Sequence, residues 1–146
     1  MPLLDEQLKR LLPQSLNEVI TINREIASLR LATADDIAAL QCDITADPLS
    51  PKGTISGWAF IALELRNRHE VGVSVFLTGY SETESSNWMT SRVLGFDEKR
   101  GIVTTNSGSV YVLRGDSTTR VDIYHVCAML NSWGLGRHLG IAPFFF

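Results

Sequence analysis

Three histidines (His69, His125, His138) and two cysteines (Cys42, Cys127) are the strongest candidate metal ligands in this chain. His125 and Cys127 stand closest, two positions apart. On a helix such residues point about 200° from one another, so they cannot share one ion while that helix holds. No metal centre and no cofactor are expected. Nucleophilic catalysis asks for a serine, cysteine or threonine beside a base, and no glycine-flanked nucleophile motif is present. Ser107, between Asn106 and Gly108, reads as a turn residue. The glycine-rich run 134–140 with Arg137 invites comparison with phosphate loops, but it follows a helical pattern instead of joining a strand to a helix, so a helix stop is the simpler reading. If a ligand or substrate site exists, its expected members are Tyr111, His125, Arg137 and His138, the aromatic, basic and titratable groups of the last third.

Elements must position such groups, and the clearest lie in 88–114. Three runs rich in β-branched and aromatic residues are separated there by the turn signals 97–101 and 106–108. They predict a three-stranded antiparallel meander. The uncharged run 71–80 alternates valine with small residues and predicts a buried fourth strand. Residues 54–69 carry two patterns: Trp58, Ile61, Ala62 and Leu65 fall at helical spacing, while Ile61, Leu63 and Leu65 alternate. Helix is the reading adopted. Residues 120–133 predict a helix with almost no polar face, buried on both sides.

The first third reads as helical. Leu4, Leu8, Leu11 and Leu12 form a stripe that Pro13 interrupts; Ser15 with Glu18 has the form of a capping box, opening a helix that carries Val19, Ile20, Ile26 and Ala27; Thr33 with Asp36 repeats the signature before Ile37 and Leu40. Residues 47–53, with two prolines and a glycine, form a loop. The fold class expected is therefore α+β in a single domain, 1–146: a helical part (1–46), a four-stranded antiparallel sheet (88–114 plus 71–80), and an apolar C-terminal helix packed on that sheet.

Composition bounds the partners. At 146 residues and 45% hydrophobic, the chain can bury one ordinary core. A net charge of −3 argues against a general nucleic-acid binder, although Arg66, Arg68 and Arg92 are the residues that would serve one. Two cysteines make no disulfide framework, no run is long enough to cross a bilayer, and no leader pattern opens the chain, which predicts a cytoplasmic protein with no membrane role. Residues 31–50 hold four acids and no base.

A non-catalytic protein-interaction module ranks first: a small acidic inhibitor or adaptor that binds a protein partner or pairs with itself as a homo-oligomer. The expected interface residues are Tyr124, Trp133, Phe144, Phe145 and Phe146 on the apolar C-terminal part, with Asp35, Asp36 and Asp43 facing a basic partner. The ranked alternative is a small enzyme or ligand-binding domain using the Tyr111, His125, Arg137 and His138 set.

Overall fold

A computed structural model describes residues 15–20, 27–44, 51–66 and 70–134. Its elements are α1 (Leu16–Val19), β1 (Ala27–Leu31), α2 (Ala34–Leu40), β2 (Gly53–Arg66), β3 (Val71–Ser81), β4 (Ser86–Asp97), β5 (Ile102–Thr105), β6 (Val110–Arg114) and α3 (Ile123–Ser132). The expected open α+β sheet of four strands is not what forms. Strands β2 to β6 close into a five-stranded barrel, with β1 as a sixth strand outside it.

Closure follows from strand number. Strands β2 to β6 are paired antiparallel in sequence order, and in a five-strand meander the first and last strands run the same way. Their pairing must then be parallel, as it is for Gly53↔Tyr111 through Ser56↔Arg114. Register shifts interrupt β2 between Ser56 and Ala59, and β4 twice: between Met89 and Arg92, opposite Phe76 to Thr78, and between Val93 and Gly95. Each inserted residue sharpens the local bend, which lets so few strands close. Gly57 supplies a positive φ of 52° at the β2 bulge. At the first β4 bulge, the buried Thr90 hydroxyl takes the Leu77 N–H at 3.2 Å in place of a ladder carbonyl.

The 14-residue β2 explains the failure of the helix reading for 54–69. One face sends Ile55, Phe60 and Ala62 into the barrel; the other sends Ile61 and Leu63 toward the helices. A strand buried on both faces loses its polar alternation, and the bulge changes the phase partway along, so helical spacing arises by accident. The helix expected beyond Ser15 also fails: only one turn forms, Ser15 makes no side-chain cap bond, and Ala27–Leu31 pairs with β2 from Ala27↔Leu65 to Leu31↔Ile61. The cap at Thr33 does form, with Thr33 and Asp36 bonding reciprocally to one another's backbone N–H groups. The leucine stripe of 4–12 and most of the 47–53 loop lie outside the described residues.

Two cores share β2. Val75, Leu77, Val93, Phe96, Val103 and Tyr111 fill the barrel with the β2 residues above, and α2 leans Ile37 and Leu40 against that cluster. Outside the barrel, Val126, Cys127 and Leu130 of α3 and Val19 and Ile20 at α1 cover Leu29, Ile61, Leu63, Phe76 and Met89. Helix α3 is therefore buried on one side, against the two-sided burial expected, and Tyr124 on it is 47% exposed. Asp122 caps α3 by accepting from the His125 N–H at 3.0 Å, and Asn87 of β4 holds the other carboxylate oxygen at 2.7 Å.

Candidate functional site

Strand β2 leaves a gap along one edge. Residues 53–56 pair with β6 and residues 61–65 with β1; between them the strand is bulged. The connection 115–122 crosses this gap as a strap. The Thr118 N–H donates to the Trp58 carbonyl at 2.8 Å, the Ala32 N–H to the Phe60 carbonyl at 2.9 Å, and the Trp58 indole N–H to the Gly115 carbonyl at 3.0 Å. Bulged strands re-aim side chains beside working sites, and three hollows border this strap. One, of about 550 Å³, lies between Leu16, Arg30, Leu31, Arg120, Val121 and Ile123. A second, of about 260 Å³, is lined by Tyr80, Asn87, Thr118, Arg120 and Asp122 beside Gly57 and Gly79. The third, of about 270 Å³, has Trp58, Phe60, Phe96, Ile37 and Glu98 around it.

The aromatic wall of the third hollow is a packed unit. Phe60 and Phe96 lie 5.0 Å apart, Trp58 lies 5.6 Å from Phe60 and 6.3 Å from Phe96, and the rings are inclined by 60° to 67°. Glu98 stands at the start of the β4–β5 turn, where Gln41 donates to its Oε2 at 3.1 Å and accepts from its N–H. Asp97 beside it is buried and accepts from the Ile44 and Arg100 backbone N–H groups at 3.2 and 3.3 Å, which fixes that turn.

A different surface lies at the start of β3. Only Phe76 and later residues of β3 have partners in β4, so among the described residues no strand pairs with 71–75 on the edge away from β2. The valines there are partly bare: Val71 is 59% and Val73 40% exposed, beside Leu65 at 48%. The expectation of a buried strand over 71–80 holds for Val75 to Thr78 and fails at the beginning and at Tyr80, which is exposed.

The expected ligand set is not assembled among the described residues. Tyr111 points into the barrel core, where its hydroxyl accepts from the Trp88 indole at 3.2 Å; His125 lies on α3 in the outer layer; Arg137 and His138 fall outside the described residues. Of the expected interface, Trp133 packs on Phe76 at 5.2 Å against the outer core, Tyr124 faces outward, and Phe144, Phe145 and Phe146 are outside the described residues. The acids divide. Asp36 bonds Arg30, whose guanidinium holds the carboxyl below the ordinary carboxylate value, while Asp35 and Asp43 are exposed. Arg30 also meets Glu64 at 3.6 Å, and Glu64 pairs with Arg66 at 3.4 Å, so Arg66 is engaged; Arg92 is exposed on β4, and Arg68 is outside the described residues.

Ser107 does sit in a hairpin turn, where its Oγ meets those of Ser91 and Thr105 at 3.1 Å and of Ser109 at 3.3 Å. None of these contacts comes from a histidine or a carboxylate, so none activates the hydroxyl. No group of three metal-ligating side chains occurs among the described residues, and no helix among them is long and apolar enough to cross a membrane.

Cys127 and His125 are shaped by burial. Desolvation pushes the Cys127 thiol up to about 11, which keeps it protonated and unreactive at neutral pH. His125 is held below its ordinary value of 6.5, chiefly by desolvation, with Asp122 opposing; its Nδ1 is buried without a hydrogen-bond partner among the described residues. The folded protein favours the neutral imidazole, so the unfolded chain takes up the proton first as pH falls. This contribution to stability is complete above 6.5 and is lost as pH drops through the lower folded value. Thermal melts of the wild type should decline over that interval, and His125→Gln should show a shallower decline.

Trp58, Glu98, Thr118, Val71 and Val73 are not among the site or interface residues expected from sequence. Comparison with protein-family models, with curated proteins and with solved structures gave no match.

Proposed function

We propose that this protein is a non-catalytic interaction module whose working surface is the β3 edge at 71–75, unpaired among the described residues, and that the chain it pairs with there is a second copy of itself. The observation that carries this reading is the edge 71–75. Its backbone groups on that side have no strand partner among the described residues, and its side chains are valine, glycine and serine. Unprotected edges are ordinarily blunted by lysine, proline or a bulge, because they template further strand pairing. None of these devices is present in 71–75.

A two-fold contact needs a surface complementary to itself. Antiparallel pairing centred on Val73 sets Val71 against Val75 of the second copy, Gly72 against Ser74, and Val73 against Val73. Large side chains meet on one face, small ones on the other, and no like charges are opposed. A ladder of five residues is shorter than the contact of a standard interface, which buries roughly 1,200–2,000 Å². The dimer should accordingly be weak and concentration-dependent.

Light scattering over a dilution series tests this reading. The wild type should move from monomer to dimer with rising concentration, and Val73→Lys should stay monomeric with its stability changed by no more than about 0.5 kcal/mol, as for an exposed site. A wild type that remains monomeric throughout, or a Val73→Lys variant that dimerises equally well, contradicts the reading.

A further inference from the structure

The three hollows around the strap differ in charge. In the largest, Arg30 is already joined to Asp36 and Glu64. In the one beside Gly57, Arg120 and Asp122 bring opposite signs. In the third, Glu98 is, among the described residues, the only ionisable one in the lining, and it joins none of the ion pairs among them. What remains of that lining is apolar, aromatic or hydroxyl-bearing.

A single carboxylate beside an indole and two phenyl rings is an environment of one sign. Aromatic faces carry negative quadrupolar charge and attract cations, most strongly cations whose own hydration is weak. An anion would be repelled by Glu98, and a strongly hydrated metal ion would find only one carboxylate to replace its water. The geometry points to a binding site for a small organic cation with an alkylated ammonium head: the alkyl groups against the half-buried Trp58, which the buried Phe60 and Phe96 back, and the charge toward Glu98. At about 270 Å³ the hollow lies just under the usual range of drug-sized sites, roughly 300–1,000 Å³, which limits the ligand to a compact head. Two features preorganise the site. The bond from the Trp58 indole to Gly115 fixes that ring, and Gln41 holds the Glu98 carboxylate. The strap completes the wall with Ser117, Thr118 and Thr119, so occupancy should be felt there.

The test uses choline as the cation and 3,3-dimethylbutan-1-ol as its uncharged carbon isostere, followed by NMR through the Trp58 indole N–H and the amides of 117–119. Choline should give saturable shifts at those groups, with the isostere about tenfold weaker, as expected for a partly desolvated cation on aromatic rings. Glu98→Gln retains an oxygen able to accept from Gln41, so the turn is preserved; it should weaken choline about tenfold and leave the isostere unchanged. Equal binding of the two probes, no saturable shift with choline, or a choline affinity unaffected by Glu98→Gln would each overturn the assignment.

Discussion

Gly79→Ala is expected to destabilise the protein by about 3 kcal/mol, the upper end of the usual cost of overpacking. A Cβ on Gly79 would stand 2.6 Å from Ile55 Cγ2, 2.9 Å from the Ser56 carbonyl oxygen and 3.1 Å from Trp58 Cα. Two of these three atoms are backbone at the β2 bulge and cannot swing aside, so relief requires β2 and β3 to separate where the barrel turns. Gly57→Ala makes the informative contrast. Its positive φ imposes a penalty of roughly 1–2 kcal/mol, but nothing lies within 4 Å of the added atom. Urea unfolding of both variants should show the larger midpoint shift for Gly79→Ala, with similar slopes. If Gly79→Ala costs no more than Gly57→Ala, β3 does not press on the bulge as described.

Leu77→Ala and Phe76→Ala should each be costly, at about 2–5 and 3–5 kcal/mol respectively. The two side chains leave β3 on opposite faces. Leu77 is fully buried in the barrel interior, whereas Phe76 lies in the outer layer against Trp133. An open sheet with one solvated face would charge heavily for one of the pair and lightly for the other. Comparable large losses in denaturant unfolding mark a strand enclosed on both sides, and Val73→Ala on the same strand should fall within about 0.5 kcal/mol. A small loss at either Leu77 or Phe76 would contradict the two-core arrangement.

Legibility in the sequence followed the range of the interactions. The strands within 88–114 and their turns were visible, because turn chemistry and alternation act over a few residues. The Thr33–Asp36 cap was visible for the same reason, as was the stop of α3 at Gly134, whose φ is 80°. Closure was not visible: it joins Gly53 to Tyr111, and no local pattern records that pairing. Ala27–Leu31 did carry a signal, since Ala27 and Leu29 are buried while Ser28 and Arg30 are less so, but Ile26 and Ala27 also continued a helical spacing from Val19. The hollows around the strap arise only once Thr118 is hydrogen-bonded to the Trp58 carbonyl, sixty positions earlier in the chain. The exposed start of β3 was hidden because an uncharged valine run reads the same whether its edge is covered or open.

Hydrogen exchange resolved to single amides tests the self-pairing edge most directly. In dilute solution, the amides of residues 71–75 that face away from β2 should exchange fast; as concentration rises they should become protected together with dimer formation, and in Val73→Lys they should stay unprotected at every concentration. A dimer that forms while these amides exchange at an unchanged rate would contradict the account.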